Sequence, residues 1–146
     1  MAVRHRLTLA VAALALLICA GCGGRDLPEL APVEGTVTLD HLPLGGVLVS
    51  FYPSAGGRPG SGVTDDKGHY ELVYLDGEEG TKLGPNRVEV TTIWPDGEPG
   101  PGEVDTIPAA YNGMGSTLKF DVQAEDNTFD IDMETSTADT ADGGRR

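Results

Sequence analysis

From residue 33 to residue 133, hydrophobic and polar side chains alternate with a period of two. Such alternation is typical of β-strands that bury one face and expose the other. Six segments show it, and a seventh, shorter strand is expected around residues 62–64. Ser50 and Tyr52 are among the residues predicted to face outward. The predicted inward positions are Val33, Gly35, Val37 and Leu39; Val47, Val49 and Phe51; Tyr70, Leu72 and Tyr74; Val88, Val90 and Thr92; Leu118, Phe120 and Val122; and Phe129, Ile131 and Met133.

No segment after Cys22 carries a helical period, so the sequence predicts an all-β domain. Because each strand has one buried and one wet face, two sheets are expected to stack on each other. The predicted architecture is a small antiparallel seven-stranded β-sandwich over residues 33–134. Turns are predicted at residues 40–43, at residues 65–68 with Gly68 left-handed, and at the Asp-Gly pairs 76–77 and 96–97.

The longest connection, residues 95–105, holds three prolines, three glycines and four acidic residues, which excludes a strand there. Loops of this length are functional or mobile. Trp94 and Tyr111 flank the loop, and Asp96 and Glu98 lie within it. These four residues are the candidate ligand-binding set: the rings suit a sugar or peptide, and clustered carboxylates suit Ca²⁺. The plainer alternative is that the rings close one end of the sandwich and the acids only repel other charges.

The N-terminus carries a different pattern, with three zones. Residues 4–6 are basic, residues 7–18 are apolar apart from Thr8, and residues 19–21 are small. These are the zones of an export signal peptide with a small-residue cleavage site. The apolar run is too short for a lasting anchor, because a spanning helix needs ~20 residues.

Ala20, Gly21 and Cys22 resemble the lipobox of bacterial lipoproteins, although Cys19 stands where the lipobox usually has leucine. The resemblance implies cleavage between Gly21 and Cys22 and a diacylglyceryl group on the sulfur of Cys22, often with an acylated new amino terminus. Two or more acyl chains hold a protein stably on a membrane, whereas one binds only marginally. The alternative is an ordinary signal peptide, with Cys22 an incidental thiol.

Gly23 follows the cysteine where an aspartate would signal retention at the inner membrane. The same resemblance therefore implies the outer membrane of a bacterial cell envelope. Residues 23–32 are expected to form a flexible tether averaging roughly 18 Å from end to end. The predicted organisation is a signal peptide at 1–21, lipidated cysteine and tether at 22–32, the β-sandwich at 33–134, and a disordered polar tail at 135–146.

The charge of the mature chain limits its partners. Removing Arg4 and Arg6 leaves 8 basic against 23 acidic residues, so the net charge falls from −13 to −15. Such a chain repels nucleic acid and anionic head groups, so the lipid must hold it to the membrane. Cys22 is the one cysteine left after cleavage, which excludes a disulfide framework and a thiolate zinc site. We expect no cofactor and no metal centre.

Strand and turn motifs follow one another in a fixed order along residues 33–53, 64–70 and 84–90, Ile107, Pro108, Tyr111 and Asn112, and residues 118–122 and 127–129. Their order resembles the carboxypeptidase regulatory-like domains, which share the transthyretin-like seven-stranded sandwich. His41 stands where that family often has glycine, although His is enriched at positive φ. The resemblance implies a mostly non-catalytic module for folding, anchoring or binding.

Catalytic motifs are not found in the sequence. There is no Gly-x-Ser-x-Gly elbow. The chain also lacks the Tyr-Arg-Gly-Ser end that the resemblance implies for hydrolases of the transthyretin-like fold. His41 and His69 lie far apart in sequence and are expected on the surface of a turn and a strand. We therefore predict no enzymatic activity.

The sequence predicts a lipid-anchored envelope protein whose β-sandwich is a structural or interaction module for an unknown envelope protein or glycan. The alternative is a ligand-binding or carrier protein that holds a glycan, a peptide or Ca²⁺ at residues 95–105.

Overall fold

A computed structural model of the chain describes residues 27–75 and 77–135. Over these residues the chain is all-β, as the alternation predicts, with one 3-10 turn at Gly113–Gly115. The signal peptide, the lipid site at Gly21 and Cys22, Asp76 and the tail from residue 136 lie outside the described residues. The strands are β1 (Leu30–Ala31), β2 (Val33–Leu39), β3 (Leu42–Pro43), β4 (Val47–Pro53), β5 (Gly60–Val63), β6 (His69–Glu71), β7 (Val73–Leu75), β8 (Glu78–Glu79), β9 (Thr81–Lys82), β10 (Gly84–Thr92), β11 (Lys119–Val122), β12 (Asn127–Thr128) and β13 (Ile131–Met133).

The larger sheet has the strand order β11-β10-β4-β5-β7-β8, with every neighbouring pair antiparallel. Its centre is the β4–β10 pair, which runs from Asn86 opposite Pro53 to Thr92 opposite Val47. The predicted alternation places β-branched and aromatic side chains on its inner face. Four of them are fully buried: Val49, Phe51, Val88 and Val90.

The smaller sheet is built around β2, with β3 and β6 antiparallel on it and β12 and β13 parallel. β12 and β13 share one register, because Asn127 lies opposite Val33 and Ile131 opposite Val37. Between them, the Asp130 carboxylate accepts the Thr36 N–H at 2.8 Å. The antiparallel prediction therefore describes most of the fold but not this C-terminal segment. The alternation indicates which face of the sheet a residue occupies, but it does not indicate whether two paired strands run parallel or antiparallel.

The two sheets stack around one core, a sandwich-like arrangement. The Phe51 ring of the larger sheet lies 6.5 Å from the Tyr70 ring of the smaller sheet, measured between centroids. Edge contacts at 6.1 and 6.0 Å join Phe51 to Phe120 and Phe129. Aromatic contacts therefore connect both layers at the centre of the domain.

The chain crosses from one sheet to the other at Leu72, where the alternation predicts a single strand. β6 pairs with β2 in the smaller sheet, and β7 pairs with β5 in the larger one. Leu72 is buried; its N–H donates to the Val33 carbonyl at 2.9 Å and its carbonyl accepts from the Gly80 N–H at 2.6 Å. The crossing closes one side of the sandwich.

Two strands differ from the predicted limits. β5 begins at Gly60, before the predicted residues 62–64. A Cβ on Gly62 would lie 2.2 Å from the Glu71 carbonyl oxygen, so the close approach of the chains requires glycine there. β1 falls in the predicted tether, yet it pairs with β9 and buries Ala31. The folded domain therefore begins before residue 33.

The outer face of the larger sheet buries polar groups. Ser50, predicted to face outward, is 5 % exposed, and its hydroxyl lies 3.0 Å from that of Ser61. Glu89 is 7 % exposed and forms an ion pair with Arg87. The Arg87 guanidinium also donates to the Gly113 carbonyl at 3.0 Å, so the segment with the 3-10 turn lies against this face. This contact helps to explain the burial of Glu89, whereas Ser50 lies between Glu89 of β10 and Ser61 of β5.

The turn geometry agrees with the sequence. Asp40 and His41 have φ of 50° and 66° and form a two-residue connection between Leu39 and Leu42. Positive φ at both central residues is the type I′ pattern of tight hairpins. Gly68 has φ of 77°, so its predicted left-handed conformation is confirmed.

Candidate functional site

The aromatic pair predicted to bind a ligand is held by the end of β10. Tyr111 is half-buried against the core, its carbonyl accepts the Val90 N–H at 2.9 Å and its N–H donates to Pro108 at 2.9 Å. Trp94 is half-buried, and its carbonyl accepts the Gly97 N–H at 3.0 Å. Asp96 and Glu98 are exposed. The ligand-binding role of these four residues stays a prediction.

Two other acids of the long loop serve its own structure. The Asp105 carboxylate accepts hydrogen bonds from the Thr92 hydroxyl at 2.7 Å, the Ile107 N–H at 3.0 Å and the Asn112 amide at 2.6 Å. Burial alone would raise the pKa of Asp105, but these bonds outweigh it and hold the pKa below its ordinary value. Glu103 accepts the Gly100 N–H at 2.8 Å. These oxygens are already engaged, which weakens the case for Ca²⁺ in this loop.

A cluster that the sequence does not reveal lies on the outer face of the smaller sheet. Glu34 of β2 is directly opposite Glu71 of β6, and His69 is opposite Thr36. The His69 Nε2 atom lies 3.5 Å from a Glu71 carboxylate oxygen and 4.0 Å from a Glu34 oxygen. One ligand atom from each of the three residues lies within 4.8 Å of the others. Imidazole nitrogen and carboxylate oxygen are both common metal ligands.

The pairing of β2 with β6 fixes the positions of the three residues in this cluster. Gly35 and Tyr70 face each other on the inner side, while their neighbours Glu34 and Glu71 point outward. The start of β6 is set by Asp65, whose carboxylate accepts the His69 N–H at 2.9 Å and the Lys67 N–H at 2.8 Å. These backbone hydrogen bonds, the one from His69 foremost, lower the pKa of Asp65. The cluster therefore stands on paired strands and not on a loop.

A groove of about 450 Å³ runs beside the cluster, where the chain changes sheets. Leu72 and Val33 form part of its floor, and its acidic lining residues are Glu34, Glu71, Glu79 and Asp126. No lysine or arginine is among the described residues that line it. The groove therefore suits a cation or a donor-rich ligand better than an anion.

The second histidine of the described chain lies on the same face, at the other end of β2. The His41 Nδ1 atom lies 3.3 Å from the Asp132 carboxylate, and both side chains are well exposed. Asp132 also accepts a hydrogen bond from the Thr38 hydroxyl. In the part of the chain that the structure describes, the ring nitrogens of His41 have one carboxylate within 4.0 Å and those of His69 have two. As expected, both histidines are surface residues of a turn and a strand.

The alternation in the sequence shows that the three residues of the cluster face outward, but it does not show that they lie together. Glu34, His69 and Glu71 all occupy outward positions in the alternation. The register between β2 and β6, which the sequence does not specify, decides that the two glutamates face each other.

Comparisons with known proteins add no family. No protein-family model matches the chain, and no curated protein is significantly similar to it. Along residues 27–75 and 77–135, no helix has the length and apolar character needed to cross a membrane.

Proposed function

We propose that the protein is a lipoprotein anchored through Cys22, with the β-domain as a non-enzymatic interaction module in the bacterial envelope, at the outer membrane. The domain is proposed to be the seven-stranded transthyretin-like sandwich of carboxypeptidase regulatory-like domains. In this proposal β12 and β13 count as one interrupted strand, because they share one register.

The observation that carries the proposal is that the chain enters the domain at one end and the long loop begins at the opposite end. The chain enters at β1, where Leu30 pairs with Lys82, two residues before β10 begins. β10 then runs nine residues to Thr92 before the long loop. At ~3.3 Å per residue, the loop begins about 25 Å from the point where the chain enters. A lipid on Cys22 would therefore leave residues 95–105 facing away from the membrane.

The C-terminal end of the described chain favours the same orientation. β2 and β13 run parallel, so Met133 lies beside Leu39, at the far end from Val33. Thr135 donates two hydrogen bonds to the Asp40 carboxylate, through its N–H at 2.9 Å and its hydroxyl at 2.6 Å. The Asp40 turn, like the start of the long loop, therefore lies at the end opposite the tether. A net charge of −15 after cleavage also keeps the domain off anionic head groups.

The contacts of the histidines support the non-enzymatic part of the proposal. His69 lies between two carboxylates and His41 beside one, both on an exposed face. Neither arrangement resembles a nucleophile held by its base.

The test measures orientation on lipid. The lipidated protein is reconstituted in vesicles that contain a quenching lipid, with a fluorophore on a cysteine introduced at Ser54 or at Asp96. Ser54 follows β4 at the tether end and is exposed. We expect strong quenching at Ser54, little at Asp96, and none at either position with Cys22→Ala. Equal quenching at both positions contradicts the orientation, and acyl-free wild-type protein by intact mass contradicts the anchor.

The competing proposal is a carrier for a glycan, peptide or Ca²⁺ at residues 95–105. Its support is the exposure of Asp96 and Glu98 at the proposed outer end. Calorimetry with Ca²⁺ and a glycan panel separates the two proposals, because a module that is purely structural or binds only another protein gives no heat with either ligand.

A further inference from the structure

We propose that Glu34, His69 and Glu71 form a binding site for one divalent first-row transition-metal ion, with Zn²⁺ as the representative ion. The site is independent of the proposed lipid anchor, because all three residues belong to β2 and β6. It differs from the expectation that the chain holds no metal.

The distances suit coordination after small side-chain movements. Two ligands of a tetrahedral zinc ion with bonds of about 2.0–2.1 Å are about 3.3 Å apart. The His69 nitrogen is already 3.5 Å from the Glu71 oxygen and 4.0 Å from the Glu34 oxygen. All three side chains are substantially exposed, between 42 % and 74 %, so rotamer changes meet little resistance. The oxygens of the two glutamates lie within 4.8 Å of each other, so bringing them into range needs side-chain shifts of at most about 1.5 Å.

The donor set selects the class of ion. One imidazole and two carboxylates suit Zn²⁺ and its neighbours in the first transition row. Ca²⁺ prefers six to eight oxygen ligands, which three side chains including an imidazole do not provide. Three protein ligands on an open face leave a coordination position for water or for a partner's group, as in sites that are not purely structural. The acidic groove beside Glu34 and Glu71 lies next to that position.

The sheet geometry also gives a physical reason for a cation here. Like charges directly opposite on neighbouring strands destabilise a sheet, and Glu34 and Glu71 are such a pair. An ion between them would turn this repulsion into attraction. A protonated His69 would do the same in part, so an ion pair without metal is the alternative that the test must separate.

The experiment is isothermal titration of ZnCl₂ into the full chain, purified in detergent and stripped of metal. Cys19→Ser and Cys22→Ser are present throughout, so that no thiolate competes. We expect one ion per chain. Glu34→Gln, His69→Gln and Glu71→Gln should each weaken binding at least about tenfold, because losing even an outer-shell partner costs 10–100-fold. All three positions are exposed, and circular dichroism checks that each variant folds.

The matched control is His41→Gln, which removes the other imidazole of the same face. Its Zn²⁺ affinity should stay within about twofold of the parent, since, among the described residues, only the Asp132 carboxylate lies within 4.0 Å of the His41 ring nitrogens. Titration with CaCl₂ should give no comparable binding. No saturable heat with Zn²⁺, equal loss in His41→Gln, unchanged affinity in the three ligand variants, or equal affinity for Ca²⁺ would each overturn the proposal.

Discussion

Tyr70 lies directly opposite Gly35 in the β2–β6 pair, and its hydroxyl donates a hydrogen bond of 2.6 Å to the Phe129 carbonyl. The tyrosine thus spans β2 and joins β6 to the segment between β12 and β13. Burial raises the pKa of the Tyr70 phenol, with the Asp130 charge as a second cause, so the hydroxyl stays protonated and donates. Gly35 permits this contact, because a Cβ there would lie 2.0 Å from the Phe129 oxygen.

Gly35→Ala should therefore destabilise the domain more than Tyr70→Phe. The added methyl must displace the Phe129 backbone, and overpacking of this kind costs about 1–3 kcal/mol or more. Tyr70→Phe removes one hydrogen bond and should cost about 1 kcal/mol. Urea unfolding followed by fluorescence measures both. Thr36→Ala, one residue along on the outer face, is the control and should change stability by less than about 0.5 kcal/mol. A Gly35→Ala variant as stable as this control would contradict the steric account.

Asp105 should make the folded state sensitive to acid. Its folded pKa lies below the ordinary value of 3.8, so the ionised carboxylate stabilises the fold above about pH 4. That stabilisation is lost as the pH falls through the folded pKa. Asp105→Asn should cost about 1 kcal/mol at pH 7, and the difference from wild type should shrink toward pH 3. Urea unfolding at both pH values tests this, and a difference that is constant with pH would refute it.

Asp40 and Asp65 serve as the comparison for this measurement. Hydrogen bonds from Thr135 lower the pKa of Asp40, as backbone bonds do for Asp65. Both groups therefore contribute acid sensitivity of the same sign in wild type and in Asp105→Asn. Subtracting the unfolding free energies of Asp105→Asn from those of wild type at each pH therefore isolates the contribution of Asp105.

Most strand faces could be predicted from the sequence, because burial alternates along strands whose outer face is open to solvent. Ile131 and Met133 are buried and Asp132 between them is exposed. β5 was misplaced because Gly60 and Gly62 have no side chains to alternate. Glu89 is buried beside Arg87, which contacts the distant Gly113 segment, and Ser50 lies between Glu89 and Ser61 of the two neighbouring strands. The local pattern of a single strand contains neither relationship.

The candidate metal site could not be predicted, for a related reason. Glu34 and Glu71 are far apart in the chain, and alternation says that both face outward without saying that they meet. The change of sheet at Leu72 and the parallel direction of β12 and β13 are likewise set by tertiary packing. Cys22 lies outside the described residues, so its lipidation stays a prediction.

The Asp40–His41 turn offers a test of backbone strain. A non-glycine residue at positive φ costs about 1 kcal/mol or more, and His41 has φ of 66°. His41→Gly should stabilise the domain by up to about 0.5 kcal/mol, because the greater entropy of unfolded glycine and the lost Asp132 contact offset part of the relief. His41→Val should destabilise it by about 1 kcal/mol or more. Thermal unfolding of the two variants gives their order, and a valine variant at least as stable as the glycine variant would contradict the turn assignment.

Glu71→Gln should change the sign of its effect on stability when metal is added. In EDTA, replacing one of two facing carboxylates relieves repulsion, so the variant should be as stable as the parent or more stable by about 0.5 kcal/mol. In Zn²⁺ at a hundred times the dissociation constant, a ligand bound only to the folded state adds about 2.7 kcal/mol to the parent, and the variant should gain far less. The parent should then be the more stable protein. Urea unfolding of both proteins with EDTA and with Zn²⁺ measures this reversal. A constant difference between the two proteins would show that the glutamate pair does not hold the ion, whatever Zn²⁺ does elsewhere on the chain.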